Sequence, residues 1–228
     1  MAEVPIITID GPSGSGKGTI ARRVADALGW HLLDSGALYR LVAHAGHLRG
    51  LHPADEPGHA RLAETLDASF ETTADGGERV LLDGRDVTAA IRTEACGGGA
   101  SRVAAMPAVR AALLERQRAF ARPPGLVADG RDMGTVVFPG AALKIFLTAS
   151  AEERARRRYK QLKDKGSSAS LAALSLEIAE RDRRDASRPI SPLRPADDAV
   201  IVDSTSMSVD AVVARVLELA DQARLAAH

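Results

Sequence analysis

The sequence predicts an α/β fold, a mostly parallel sheet with helices on both faces and ligands at the carboxyl ends of its strands. Three observations predict it. Short apolar strands alternate with helical stretches, the first strand runs straight into a glycine-rich loop that ends in a lysine, and the chain closes on a helix with one apolar stripe.

The first strand is expected from Pro5 to Asp10. Gly11, Pro12, Ser13, Gly14, Ser15, Gly16, Lys17, Gly18 and Thr19 follow in the G-x-x-x-x-G-K spacing of a phosphate-binding loop. The glycines let backbone N–H groups turn inward around phosphates, and the lysine brings a cation to the β and γ oxygens. The next helix adds its positive end, with Ile20, Val24, Ala27 and Leu28 on one apolar face and Gly29 as its stop. Together they point to a nucleoside triphosphate. The general motif has Ser or Thr after the lysine, but here Gly18 stands there and the hydroxyl comes at Thr19. Magnesium is therefore expected to be held mostly through phosphates and water.

Further strands are expected from His31 to Leu33, Leu126 to Ala128, Leu143 to Leu147 and Ala199 to Val202. Between residues 64 and 98 the alternation breaks. Ala68 to Thr73 and Arg79 to Leu82 form two short strands joined by Ala74-Asp75-Gly76-Gly77, and Asp83-Gly84 makes a second turn before Asp86-Val87. This is a small antiparallel insertion. Ser150 and Glu153 then open a helix carrying Arg154, Arg156, Arg157, Arg158, Lys160, Lys163 and Lys165, which Gly166-Ser167-Ser168 breaks. A second helix starts near Ser170, buries Leu171, Leu174 and Ile178, and runs into the charged stretch from Glu180 to Arg188. A glycine-hinged, arginine-rich helical pair suits a lid over a phosphate site. In the last helix, capped by Ser208, the stripe is Val209, Val212, Val213, Val216, Leu217 and Ala220.

Composition excludes several classes. The 228 residues carry 30 basic and 30 acidic side chains, so net charge gives no case for a dedicated nucleic-acid binder, and 3% aromatic content leaves no base-stacking platform. The single cysteine, Cys96, rules out an intramolecular disulfide and multi-cysteine metal sites, and fits a reducing cytoplasm. No basic leader or membrane-length apolar segment is present, so a soluble, unprocessed protein is expected. The histidines form no metal motif, and His44 and His47 read as an exposed helical face.

Chemistry gathers at a second strand end, where Leu126-Val127-Ala128 runs into Asp129-Gly130-Arg131-Asp132. An aspartate there can bind magnesium or its waters, and the arginine can hold a phosphate through two parallel hydrogen bonds. Phosphoryl transfer needs positioned phosphates, magnesium and cations on the transferring group. A signalling GTPase would read guanine with Asn-Lys-x-Asp, and the chain contains no asparagine. A small-molecule kinase remains, its acceptor open between a nucleotide and a metabolite.

Gly11 to Thr19, Leu32-Leu33-Asp34-Ser35-Gly36-Ala37-Leu38-Tyr39-Arg40 and Asp129 to Pro139 resemble, in order and spacing, the bacterial cytidylate kinases, nucleoside monophosphate kinases of the P-loop class. Ser150 to Lys165, Glu180 to Arg188 and Asp203-Ser204-Thr205 extend the resemblance over nearly the whole chain. The Gly-Lys-Gly-Thr ending is shared with adenylate kinases, whose Asp-Gly-Phe/Tyr-Pro-Arg motif is missing here. The resemblance implies a P-loop kinase core over residues 1–63 and 99–228, a monophosphate-binding insertion over 64–98 and a helical lid on the ATP side near 150–185. It implies transfer of the γ-phosphate of ATP to CMP or dCMP with magnesium, UMP being at most a weaker acceptor. A cytoplasmic monomer that binds neither nucleic acid nor membrane is expected.

By the same resemblance, Gly11 through Thr19 bind ATP, and Ser35, Arg40 and Arg131 hold the acceptor phosphate. Ser101, Arg110, Asp132 and Arg188 read the cytosine end, and Arg181 and Asp185 reach the sugar. Lys17, Arg131, Arg154 and Arg158 neutralise charge on the transferring group; no residue is assigned as a metal ligand. Cytosine presents an exocyclic amine where uracil presents a carbonyl, so Asp132 suits it as acceptor. The family commonly carries an asparagine and helix-favouring residues before Ala100-Ser101, where this chain has Cys96-Gly97-Gly98-Gly99. Each glycine weakens a helix by up to about 1 kcal/mol. A looser insertion and poorer discrimination against UMP are therefore expected.

Overall fold

The computed structural model describes residues 4–73, 78–164, 166, 170–223 and 225. The turn expected at Ala74 to Gly77, and Lys165, Ser167 and Ser168 at the expected lid break, lie outside the described residues. The chain forms two compact units, one of residues up to Asp34 and from Gln117 onward, the other from Ser35 to Arg116. The second unit contains the expected 64–98 insertion and is longer at both ends.

The first unit is built on five parallel strands: β1 (Ile6–Asp10), β2 (His31–Asp34), and, past the second unit, β6 (Leu126–Gly130), β7 (Leu143–Thr148) and β8 (Val200–Asp203). Their order in the sheet is β2-β6-β1-β7-β8. The strands sit within a residue or two of their expected bounds; β1, β6 and β7, buried on both faces, are near-continuous hydrophobic runs. Register places Asp34 beside Asp129, and Asp10 beside Gly130 and Phe146, so the carboxyl ends carry the acidic residues together.

Helices α1 (Lys17–Leu28) and α9 (Val209–Gln222) pack on this sheet, with Ile20, Val24, Val212, Val213 and Val216 buried against Ile7, Ile9, Val127 and Leu147. Gly29, at φ 65°, stops α1, and Ser208 caps α9 by accepting from the Ala211 N–H. The buried stripe of α1 is Ile20, Ala21, Val24 and Ala25; Ala27, expected on it, is exposed because it lies off the centre of that arc. The charged helices are α7 (Ala151–Asp164) and α8 (Leu171–Ala186), capped by Ser150 and Ser170 as the sequence indicates. Leu174 and Ile178 are buried, whereas Leu171, on the same helical face, is exposed because it is the first residue of α8, at the end of the stripe. A π-helical turn at Met133–Val137, not anticipated from the sequence, follows β6.

The second unit contains α2 (Ser35–Leu48), α3 (Glu56–Glu64), the antiparallel sheet of β3 (Ala68–Thr72), β4 (Glu78–Leu82) and β5 (Arg85–Asp86), then α4 (Thr88–Ile91), α5 (Glu94–Val103) and α6, which begins at Pro107 and ends at Arg118. α5 is continuous through its three glycines. Two of them face α2: a Cβ on Gly97 would stand 3.1 Å from Arg40 Nη2, and one on Gly99 3.2 Å from the Cβ of Ala43. Among the described residues no helix is long and apolar enough to cross a membrane.

Candidate active site

The glycine-rich loop begins where β1 ends. Gly14 and Gly16 take φ values of 78° and 92°, the left-handed backbone that wraps the loop and lets Gly16 cap α1. The first turn of α1 then presents N–H groups that have no partner within the helix, a ready anion site. Lys17 is buried, and its Nζ donates to the Pro12 carbonyl at 3.1 Å across the loop. Burial, and then the Arg131 charge, lower its pKa to about 8 against the opposing pull of Asp129.

Asp129 ends β6 in the same buried cluster. Burial pushes its pKa up to about 7, although Lys17 favours the ionised form. Its Oδ1 has no hydrogen-bond partner among the described residues. A Cβ on Gly18 would stand 3.2 Å from Asp129 Oδ2, so a serine or threonine after the lysine would crowd this carboxylate. That contact accounts for the departure from the general loop motif. Magnesium takes one or two carboxylates and keeps its other positions for water and phosphate. Asp129, with Asp34 beside it in register, matches that donor set. No group of three or more His, Cys, Asp or Glu among the described residues is placed to hold a metal, so phosphate and water would supply the remaining ligands.

Asp10 is a carboxylate beside this cluster that sequence reasoning passed over. It is buried, and its two oxygens accept from the Met133 and Gly134 N–H groups at 2.9 and 2.8 Å, anchoring the π-helical turn. Burial outweighs those hydrogen bonds and raises its pKa to about 6. The available signal was a charged residue closing an otherwise apolar strand. Asp132, just before that turn, is also buried.

Asp185, wholly buried near the end of α8, accepts from Arg131 Nε and from Arg188 Nη2. Burial opposes its charge, but Arg131 and then Arg188 hold its carboxyl below the ordinary range. Arg181, one turn earlier, adds positive charge to the surroundings of both Lys17 and Asp185. Lys17, Arg131, Asp185, Arg188 and Arg181 thus form one charged cluster.

The arginines of α7 make different contacts. Arg154 is buried, donating to the Ser13 carbonyl at 3.0 Å and through both terminal nitrogens to Asp182, at 3.1 and 2.6 Å. It ties the loop to α8. Arg157 reaches the Ser15 carbonyl at 3.2 Å and the Ser204 carbonyl at 2.6 Å, while Arg158 donates to Gln161. Asp182 and Arg157 were missed because an arginine run or an alternating-charge stretch does not reveal which side chain faces the loop.

In the second unit, Ser35 and Ser101 are buried at the start of α2 and within α5. Arg40 donates to the Ile91 carbonyl at 2.6 Å and the Thr93 carbonyl at 3.3 Å. Arg110 is buried, bonded to the Ala104 carbonyl at 3.2 Å and poised 5.8 Å from the centre of the Tyr39 ring.

Comparison with known proteins agrees with this chemistry. The family model for cytidylate kinase matches residues 7–222. A cytidylate kinase of Pseudomonas syringae pv. tomato is 62% identical over 216 residues, covering 94% of each chain. Those of Stutzerimonas stutzeri and Pseudomonas paraeruginosa are each 60% identical, covering 96% and 97% of each chain.

Proposed function

The chain belongs to the cytidylate kinase family, and from that membership we propose that it transfers the γ-phosphate of ATP to CMP and dCMP, giving CDP or dCDP and ADP. The cluster of Lys17, Asp129 and Arg131 near the carboxyl ends of parallel strands, with Asp185 and Arg188 from the end of α8, carries this reading. A phosphate oxygen of the acceptor forms the new bond to the γ-phosphorus as the bond to the ADP oxygen breaks.

The loop from Gly11 to Thr19 wraps the triphosphate with its N–H groups. Lys17, Arg131, Arg154 and Arg158 balance the charge on the transferring group; Arg154 must exchange Asp182 for phosphate to do so. Asp129 would hold magnesium directly or through water, and the bound ion would neutralise charge on the transferring phosphates. The family resemblance assigns Arg131, Asp132, Arg181, Asp185, Arg188, Ser35, Arg40, Ser101 and Arg110 to the acceptor. Asp132 accepts the cytosine amine, making UMP the weaker acceptor. The enzyme works as a cytoplasmic monomer.

The test is detection of ADP from magnesium-ATP with CMP, dCMP, UMP, AMP, GMP or shikimate as acceptor. Strong turnover with CMP or dCMP is expected; turnover with none of the six would refute the reading.

A further inference from the structure

The second unit also contains a cavity of about 440 Å³ that none of its assigned acceptor residues lines. Its apolar walls include Leu51 and Val103, and its polar lining includes His44, His47, His59 and Arg102, with no acidic residue. The volume is that of a small-molecule pocket. His59 is 3% exposed, and its Nδ1 donates to the Asp55 carbonyl at 2.7 Å. A carbonyl only accepts, so in the neutral ring Nδ1 carries the proton and Nε2, beside Gly46, is left as an acceptor with no hydrogen-bond partner among the described residues. The Arg102 guanidinium likewise has no ion-pair or hydrogen-bond partner there, lying over Gly98 and Gly99 at the exposed surface of α5.

An unfilled acceptor inside, an unpaired cation at the rim and apolar walls between them define one kind of occupant. We propose that this cavity binds a small aromatic monoanion bearing a hydroxyl, its hydroxyl donating to His59 Nε2 and its carboxylate held by Arg102. The cavity wall also touches the acceptor machinery. Thr93 and Cys96 line it, the Thr93 carbonyl accepts from Arg40, and the Cys96 thiol donates to the Arg40 carbonyl at 3.4 Å. Occupancy therefore biases the position of Arg40 and changes the KM for the acceptor, a link that rests on the functional reading above.

Full-length protein titrated with 4-hydroxybenzoate, followed by calorimetry and by nitrogen resonances of the histidine rings, tests both parts. Saturable binding that shifts His59 Nε2 is expected, weakened about fivefold or more by Arg102→Gln and by His59→Phe. Lack of saturation by roughly 10 mM, or undiminished affinity in Arg102→Gln, overturns the site. Bound ligand should change the KM for CMP at least about twofold in the wild type at concentrations that leave Arg102→Gln unaffected. Binding with no change in KM overturns the link to Arg40. Absence of turnover with any acceptor would instead refute the kinase reading, while the binding data still decide the site.

Discussion

Lys17 and Asp129 are both removed from water, and each is pushed toward its neutral form by burial while the other holds it charged. A bound triphosphate changes that balance by bringing negative charge to Lys17. Lys17→Ala should therefore lower kcat by at least roughly a hundredfold while circular dichroism remains that of the folded protein; retained turnover would remove the loop from the site. Asp129 gives a pH signature. Its folded pKa of about 7 lies above the ordinary 3.8, so the stability it contributes is present below about pH 4 and is lost as pH rises through 7. Asp129→Asn has no such loss. Its melting temperature relative to wild type should climb from roughly pH 5 to pH 7 in the ligand-free protein. A flat difference would mean that the carboxyl is not shifted. At this scale Gly18 was legible as a departure from the motif but not as a contact, because Asp129 lies more than a hundred residues away in sequence.

Elements were more legible than their faces. β1 and β6 announce themselves as apolar runs, and α7, α8 and α9 through their serine caps, because strand burial and capping are local chemistry. What local chemistry does not encode is a partner. Ala27 and Leu171 fit apolar patterns but meet solvent, and the π-helical turn depends on Asp10, which arrives from a distant strand. α5 shows the same divide. Propensity alone makes its glycines a weakness, whereas packing gives each a different role. Gly98 would meet only the far end of Arg102, at 3.8 Å, so Gly98→Ala should stabilise the protein by about 0.5–1 kcal/mol with unchanged kinetics. Gly97→Ala presses on the Arg40 guanidinium at 3.1 Å and should raise the KM for CMP several-fold, with little change in KM for ATP. Chemical denaturation and initial-rate kinetics on the pair separate the two effects. Equal behaviour of the two variants would mean that the close packing of α2 and α5 carries no functional weight.

Across the whole molecule, 30 basic and 30 acidic residues cancel, yet the site in the first unit concentrates Lys17, Arg154 and Arg188 as buried cations, with Arg131 partly buried beside them. Burying charge is costly unless each group is paired, and Asp185 and Asp182 pair only part of this set. Lys17 and the N–H groups of the loop remain to meet a polyphosphate, so nucleotide binding should stabilise the fold as well as position the reaction. At a concentration of magnesium-ATP about a hundred times its Kd, mass action adds about 2.7 kcal/mol. For a chain of this length that corresponds to an upward shift of roughly 5 to 10 °C in Tm. Lys17→Ala removes the cation aimed at the β and γ oxygens, so at the same nucleotide concentration its shift should fall to less than about half that of wild type. Thermal denaturation with and without nucleotide measures both. An equal shift in the variant would mean that the triphosphate is gripped elsewhere, because a loop whose lysine contributes nothing to binding cannot be the place where the molecule holds the phosphates.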